Sequence, residues 1–193
     1  HEVLAEVVEA PKGSPVEVGR RTVVNPILSC GACRACTMGA SYLCYKLKIL
    51  GVDAPGGMCD YWAAPVANLI GVPKTMKDDD AALVEPLAVA VHDVGRAEVK
   101  PGDAVLVFGG GPIGCLIALV ARARGARVKV VEINPFRIGL MEKMGLETIG
   151  PGDDTKAIVA DWTNGEGADV VFEVTGDPKV VPLVTEVVRV WGT

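Results

Sequence analysis

Four cysteines lie close together in the segment CGACRACTMGASYLC, and this cluster constrains the chain more than any other feature. They are Cys30, Cys33, Cys36 and Cys44. This spacing lets one short loop place four thiolates tetrahedrally around a single Zn²⁺, and a site closed by four sulfurs leaves no position for a substrate. We therefore expect a structural zinc in the lobe 30–44, with the chemistry of the protein elsewhere.

Two other interpretations of the cysteines are weaker. Disulfides between residues three apart would strain the loop, and the rest of the chain has the character of a reduced, cytosolic protein. An iron–sulfur cluster would use the same ligands, but the gap of seven residues before Cys44 differs from the ferredoxin pattern. Cys59 and Cys115 stand apart in apolar surroundings, and we predict that both are buried thiols that bind nothing.

The composition favours a small-molecule partner over a nucleic acid or a membrane. The 193 residues carry a net charge of -5 and no basic cluster, which disfavours polyanionic partners. One uncharged stretch, 104–121, is interrupted by three glycines and a proline, a pattern typical of strand, tight turn and helix rather than of a membrane span. No export signal is recognisable, and we expect a cytoplasmic protein.

The apolar pattern changes along the chain and predicts two domains, 1–86 and 87–193. The first contains short apolar runs at 3–8, 21–28 and 60–64 between Gly and Pro residues, which is typical of a β module. A helical pattern follows at 78–96, with Asp78 in the first turn and Pro86 at the start of a second helix. Strands and helices then alternate, which predicts a parallel, doubly wound sheet and an α/β fold. The predicted strands are 104–108, 127–133, 147–149 and 169–174, and the predicted helices are 112–124, 135–144, 155–162 and 179–190.

A glycine-rich segment follows the first predicted strand of the second domain. Its G-x-G-x-x-G pattern uses Gly109, Gly111 and Gly114, and Pro112 opens the helix after the turn. Such a turn lets the backbone approach a pyrophosphate at the helix N-terminus. Glu132 ends the next strand, where a carboxylate accepts hydrogen bonds from a ribose 2′-hydroxyl, so NAD is favoured over NADP. Arg137 leaves two possibilities open, because a guanidinium can neutralise a 2′-phosphate or lie along the adenine.

Several segments resemble the medium-chain, zinc-dependent alcohol and polyol dehydrogenases. His1-Glu2 resembles the end of that family's Gly-His-Glu motif, and 85–89 (EPLAV) resembles its Glu-Pro-Leu segment. The cysteine lobe, the glycine turn and the segments 57–61 (GMCDY) and 100–103 (KPGD) also match, so the resemblance extends over essentially the whole chain. Within the family, the chain is most similar to sorbitol, iditol, xylitol and butanediol dehydrogenases, and threonine 3-dehydrogenase is a close relative.

The resemblance implies a fold and a set of site residues. The fold is a partial GroES-like β module with a structural-zinc lobe, followed by a Rossmann sheet that lacks its last strands. His1 becomes a catalytic zinc ligand, Glu2 its neighbouring carboxylate and Glu85 a ligand of the same zinc, directly or through water. Ile113, Glu132 and Arg137 become cofactor contacts. From the residues alone, His1 could equally be a frayed terminal residue and Glu85 a solvated acid at a helix start.

The implied activity is the reversible oxidation of a secondary alcohol, a polyol or a diol, to a ketone, with hydride transfer to NAD. Threonine 3-dehydrogenase activity is the alternative within the family, and a zinc- and NAD-binding scaffold without turnover is the alternative from another class. Relatives carry a third zinc ligand before the His-Glu pair and further strands at the other end. We therefore expect an internal part of a longer enzyme that forms a homo-oligomer, a dimer or tetramer, when intact.

Overall fold

A computed structural model describes all residues, 1–193, and divides them into two compact units, His1–Glu85 and Pro86–Thr193. The first unit is built on a three-stranded antiparallel sheet of β1 (Leu4–Glu6), β2 (Arg21–Val24) and β5 (Leu69–Gly71), in the order β1-β2-β5. A second ribbon pairs β3 (Ile27–Leu28) with β4 (Lys48–Ile49). Helix α2 (Asp78–Ala82) places Ala81 in a small core with Val23 and Val72.

The predicted strand at 21–28 is divided in two by a proline. Pro26 has no backbone N–H to donate to a ladder, so β2 ends at Val24 and β3 begins at Ile27. Buried Asn68 holds the break, because its amide donates to the carbonyls of Asn25 and Ile27 at 2.7 and 2.9 Å. The apolar run at 60–64, which we counted toward the β module, forms no ladder, and β5 pairs with β2 instead.

The zinc lobe contains little regular structure. Helix α1 (Arg34–Thr37) and a 3₁₀ turn at Ser41–Leu43 are its only elements, and neither buries a residue. None of the residues 30–44 belongs to one of the hydrophobic core clusters of the chain. The lobe therefore needs another source of stability than apolar burial.

The second unit contains a parallel sheet of four strands in the order β8-β7-β6-β9. The strands are β6 (Ala104–Phe108), β7 (Arg127–Val131), β8 (Glu147–Ile149) and β9 (Val170–Glu173). The helices are α3 (Val84–Arg96), which begins at the end of the first unit, α4 (Pro112–Ala123), α5 (Pro135–Lys143), α6 (Thr155–Trp162) and α7 (Val181–Val187). The parallel α/β fold predicted from the alternating pattern is confirmed.

Alternate residues of the central strand β6 fill two cores. Val105 and Val107 belong to the core that includes residues of α3, α4 and α5, whereas Leu106 and Phe108 pack with residues of α6 and α7. All five residues of β6 are buried, as expected for a parallel strand covered on both faces. No helix in the chain is both long enough and apolar enough to cross a bilayer.

The structure explains two of the differences between predicted and observed helix boundaries. Helix α3 starts two residues earlier than expected, so that Pro86 lies in its first turn rather than at its first position. Helix α7 ends at Val187 instead of 190, because the backbone of Val187 and Arg189 hydrogen-bonds to Ala168 at the start of β9. The pairing with the sheet edge therefore stops the helix, which the apolar pattern of 179–190 does not reveal.

Candidate functional site

The four cysteines of the lobe lie close enough together to share one metal ion. Their sulfurs all lie within 4.8 Å of one another. The Sγ of Cys33 lies 3.5 Å from that of Cys36 and 3.9 Å from that of Cys44. Tetrahedral zinc with Zn–S bonds of about 2.3 Å separates its sulfurs by about 3.8 Å. The two distances from Cys33 lie close to this value, so the arrangement fits a single zinc ion.

Backbone donors prepare the sulfurs for a cation. The Sγ of Cys44 accepts the N–H groups of Cys30 and Lys46, each at 3.3 Å. Hydrogen bonds from the backbone of Cys36 and Tyr45 lower the pKa of the Cys33 thiol to about 6, whereas burial raises the pKa of Cys36 to about 11. Zinc binds thiolates, so the lobe supplies one sulfur that already favours the bound form.

A second group of side chains that could hold a metal ion consists of His1, Glu2 and Glu85, whose ligand atoms also lie within 4.8 Å of one another. The Nδ1 of His1 lies 3.2 Å from Oε2 of Glu85, yet this nitrogen is buried and makes no hydrogen bond. Two ligands on tetrahedral zinc, each about 2.0–2.1 Å from the metal, lie about 3.3 Å apart. The orphaned nitrogen and its carboxylate neighbour therefore fit a cation between them.

Burial shifts the pKa of one member of this second group. Partial burial raises the pKa of Glu85, and the carboxylate of Glu2 nearby raises it further. Glu2 itself is exposed. Two carboxylates and an imidazole at one place attract a divalent cation, which would relieve the repulsion between the two acids.

The glycine turn connects β6 to α4. Gly109 has a φ of 102°, in the left-handed region that favours glycine, and a Cβ at Gly114 would lie 1.9 Å from the carbonyl oxygen of Gly109. Gly111 is the N-cap of α4 and supplies no side-chain cap, and Pro112 follows at the first helical position. Ile113 packs against the core beside them. The N–H groups of the first turn of α4 are thus free of a side-chain partner and suit a phosphate.

Glu132 lies beside the turn, but its carboxylate points inward. The side chain is 5% exposed, and Oε2 accepts the N–H of Gly110 at 2.9 Å. Oε1 accepts the N–H groups of Ile133 and Asn134 at 2.7 and 2.8 Å. Burial alone would raise the pKa of Glu132, but these backbone hydrogen bonds, together with Arg137, outweigh it and lower the pKa. The acid is therefore ionised and fully engaged with the chain.

The prediction from spacing missed a loop that follows β9. Thr175 lies over the glycine turn. If Gly109 carried a Cβ, that atom would lie 3.0 Å from Cγ2 of Thr175. Glu173 holds this loop by accepting the N–H groups of Thr175 and Gly176 at 2.7 and 3.2 Å. β6 and β9 are neighbours in the sheet although far apart in sequence. A rule that places ligands at the carboxyl ends of adjacent parallel strands could have found this loop once the strand order was known.

Two family models match the chain. Residues 1–74 match the alcohol dehydrogenase GroES-like domain, and residues 112–193 match the zinc-binding dehydrogenase domain. The chain is 39% identical over 191 residues to the 2-dehydro-3-deoxy-L-galactonate 5-dehydrogenase of Pseudoalteromonas atlantica, covering 98% of this chain and 54% of that protein. It is also 39% identical to the L-threonine 3-dehydrogenase of Pyrococcus horikoshii, over 94% of this chain and 53% of that protein.

The fold is shared with solved structures. The crystal structure of 2R,3R-butanediol dehydrogenase from Bacillus subtilis superposes with a TM-score of 0.88 and 36% identity, over 100% of this chain and 55% of that one. The chain thus spans about half the length of the relatives that it matches. The two domain matches cover most of the sequence, and the relatives agree with them. The chain belongs to the family of zinc-binding, medium-chain alcohol dehydrogenases, with a GroES-like domain and a Rossmann-type sheet.

Proposed function

We propose that the protein catalyses the zinc- and NAD-dependent oxidation of a secondary alcohol, a polyol or a diol, to a ketone. The observation that carries this proposal is the cluster of His1, Glu2 and Glu85, a metal-binding group in a chain that also contains a dinucleotide-type glycine turn. A turn of this type alone would support only nucleotide binding. An open three-ligand metal site adds the means to act on a hydroxyl group.

The residues of the chain have separate tasks in this reaction. His1, Glu2 and Glu85 would hold the catalytic zinc, and Cys30, Cys33, Cys36 and Cys44 would hold a second, structural zinc. Zinc bound at the first site would supply Lewis-acid stabilisation of a substrate alkoxide; for bound water the pKa falls from 15.7 to about 7, which bounds the effect at about 12 kcal/mol.

The cofactor would lie along the carboxyl end of the parallel sheet. The N-terminus of α4 and the glycine turn of Gly109, Gly111 and Gly114 would hold the pyrophosphate of NAD, with Pro112 and Ile113 beside it. Glu132 and Arg137 would border the adenosine end. We assign the residues 1–86 to the domain that holds the catalytic metal and 87–193 to the domain that binds NAD.

The substrate class rests on the relatives. One acts, by its name, on position 5 of a deoxy-galactonate, a polyhydroxy acid, and another is a butanediol dehydrogenase. These names support a secondary alcohol within a small polar molecule. Threonine, whose 3-hydroxyl is also a secondary alcohol, is the second candidate because of the threonine 3-dehydrogenase relatives. We also propose a homo-oligomer, and no nucleic-acid partner given the net charge of -5.

The test is formation of NADH, followed by its absorbance, when the zinc-loaded full gene product is offered NAD with polyols, butanediol or threonine. We expect turnover that a chelator removes and added zinc restores. Glu85→Ala should lower turnover by about 100-fold or more, since loss of an outer-shell partner of a metal already costs 10- to 100-fold. Glu9→Gln, which changes an exposed acid in the same unit, is the control and should leave turnover unchanged.

A result that separates the alternatives comes from the same preparation. NAD binding without turnover of any of these alcohols, in protein that carries its zinc, would contradict the enzyme and support a zinc- and NAD-binding scaffold.

A further inference from the structure

The segment 1–3 carries a ligand of the proposed catalytic metal but lies outside the regular structure. β1 begins at Leu4, and its ladder with β2 begins at the same residue. Strand pairing therefore does not fix the three residues that precede β1. The Nδ1 of His1 is nevertheless buried and lies 3.2 Å from Oε2 of Glu85. Packing against another part of the chain must hold the segment in place.

A loop with three glycines, 49–57, packs against this segment. A Cβ built on Gly51 would lie 3.1 Å from the backbone nitrogen of His1, and one built on Gly57 would lie 2.8 Å from Cγ1 of Val3. Gly56 packs in turn on Gly51, where its Cβ would come within 2.5 Å of the Cα atom. A real Cβ essentially never approaches another heavy atom closer than 3.0 Å, so the two closest approaches require glycine.

The loop 49–57 is anchored by contacts away from its glycines. Leu50 is buried, and its N–H donates to the carbonyl of Pro26 at 2.9 Å. The carboxylate of Asp53 closes the loop by accepting the N–H of Ile49 at 2.8 Å. Because the loop is anchored and the segment 1–3 is not paired in a ladder, a side chain added between them should displace the segment.

We propose that Gly56 and Gly57 are positioning residues of the three-ligand site, by which we mean His1, Glu2 and Glu85. They supply no ligand and act by letting the loop approach the segment that carries His1. The inference rests on the proposed function, because it requires a cation at the three-ligand site. Ligand atoms must lie within about 0.2 Å of their usual distance from zinc, so a small displacement of His1 should weaken the binding of the metal.

Gly57→Ala in the zinc-loaded full gene product is the first test. Neither Gly57 nor Gly56 has a φ in the left-handed region, so alanine adds a steric contact without backbone strain. Competition with a chelator measures the affinity of each zinc, and Glu85→Ala identifies the step that belongs to the three-ligand site. Gly57→Ala should weaken this zinc by about 10- to 100-fold, as loss of an outer-shell partner does, and leave the zinc of the cysteine lobe unchanged.

A second substitution separates positioning from a general loss of stability. Val3→Ala removes the methyl groups that the new Cβ of Gly57→Ala would meet, and the next neighbour, Cε3 of Trp62 at 3.3 Å, needs to move by only a few tenths of an ångström. The double variant should therefore bind zinc at the three-ligand site within about threefold of Val3→Ala alone. Val3→Ala should not rescue Gly56→Ala, because the Cβ there meets the backbone of Gly51.

Gly71→Ala is the control in the same unit. Its Cβ would meet only the guanidinium end of exposed Arg20, which can move, and neither zinc affinity should change. Wild-type affinity at the three-ligand site in both Gly56→Ala and Gly57→Ala would overturn the inference and leave the metal site intact. Equal weakening of both zinc ions, or no rescue of Gly57→Ala, would show a structural role alone and would also overturn it.

Failure of the proposed function gives a different result. A wild-type protein that binds zinc only in the cysteine lobe would overturn the three-ligand site itself, and the inference with it.

Discussion

At the scale of single residues, Glu132 and Asp169 each use a carboxylate to hold together parts of the chain that are far apart in sequence, since Glu132 accepts the N–H of Gly110 and Asp169 accepts the N–H of Ala104. The glycine turn, the four cysteines and Glu132 were all recognisable from spacing. The inward orientation of the Glu132 carboxylate was not recognisable from spacing. Its donor, the N–H of Gly110, is 22 residues away in sequence and reaches the carboxylate only when β6 and β7 pair. Short-range patterns report which residue types occur together, whereas hydrogen bonds between strands depend on the order of the strands.

Asp169 offers a test of one such long-range bond. Its Oδ2 accepts the N–H of Ala104 at 2.7 Å and its Oδ1 the Nε of Arg189 at 2.6 Å. Burial alone would raise the pKa of Asp169, but these two partners outweigh it and lower the pKa. The stabilisation is therefore present above the ordinary Asp pKa of about 3.9 and is lost as the pH falls through the lowered value.

We expect Asp169→Asn to lower the free energy of unfolding at pH 7 by about 1–3 kcal/mol and to reduce the acid sensitivity of the second unit. Urea unfolding between pH 2 and pH 7, followed by circular dichroism, measures both effects. Asp161→Asn, an exposed acid near the end of α6, is the control and should change little. Equal stability of wild type and Asp169→Asn at pH 7 would contradict this account.

At the scale of elements, the parallel strands and the helices of the second unit were predictable because apolar runs and Gly or Pro residues mark their limits. The elements of the first unit were less predictable. A pattern of apolar residues does not show that 60–64 stays unpaired, since which strand pairs with β2 depends on residues far along the chain. Loops such as 174–177 carry no periodic signal, so sequence alone could not place Thr175 over the glycine turn.

The connection between β6 and α4 depends on a close approach that only glycine allows. A Cβ at Gly114 would lie 1.9 Å from the Gly109 carbonyl oxygen, so Gly114→Ala must shift the backbone of the turn or the helix. We expect a loss of about 2 kcal/mol or more of stability, together with weaker dinucleotide binding. Thermal unfolding and calorimetric titration with ADP-ribose measure the two effects.

A matched control lies in the next helix. Gly139 is within α5, and a Cβ there would meet no atom within 4 Å. Gly139→Ala should raise stability by about 0.5–1 kcal/mol, since alanine favours a helix over glycine. If Gly114→Ala behaved as Gly139→Ala does, the close approach at the turn would not be required.

We expect the cysteine lobe, 30–44, to depend on a bound zinc, because none of its residues belongs to a hydrophobic core cluster. Structural zinc contributes about 10–16 kcal/mol in zinc-finger peptides, which is comparable to the stability of a whole domain. We expect Cys36→Ser to lose one zinc per chain and to lower the melting temperature, measured by elemental analysis and calorimetry. Cys59→Ser alters a thiol outside the lobe that is exposed, not buried as the sequence predicted, and it should keep both properties. Unchanged zinc content in Cys36→Ser would contradict the assignment of the lobe.

At the scale of the whole molecule, the proposed activity requires two kinds of site in one chain. The first unit contains both groups of metal-binding side chains, and the second contains the glycine turn. Either kind alone occurs in many proteins without dehydrogenase activity. Their combination, together with the relatives of the chain, supports hydride transfer from an alcohol.

Native mass spectrometry of the purified protein with zinc and NAD tests this combination most directly, because it counts metal ions and dinucleotides on the same chain. We expect two zinc ions, one for each group of possible ligands, and one dinucleotide on a single chain. Cys36→Ser should carry only the zinc held by His1, Glu2 and Glu85, and Glu85→Ala should carry only the zinc of the cysteine lobe. A chain that binds the dinucleotide but only the zinc of the cysteine lobe would contradict the catalytic metal site, and with it the proposed oxidation of an alcohol.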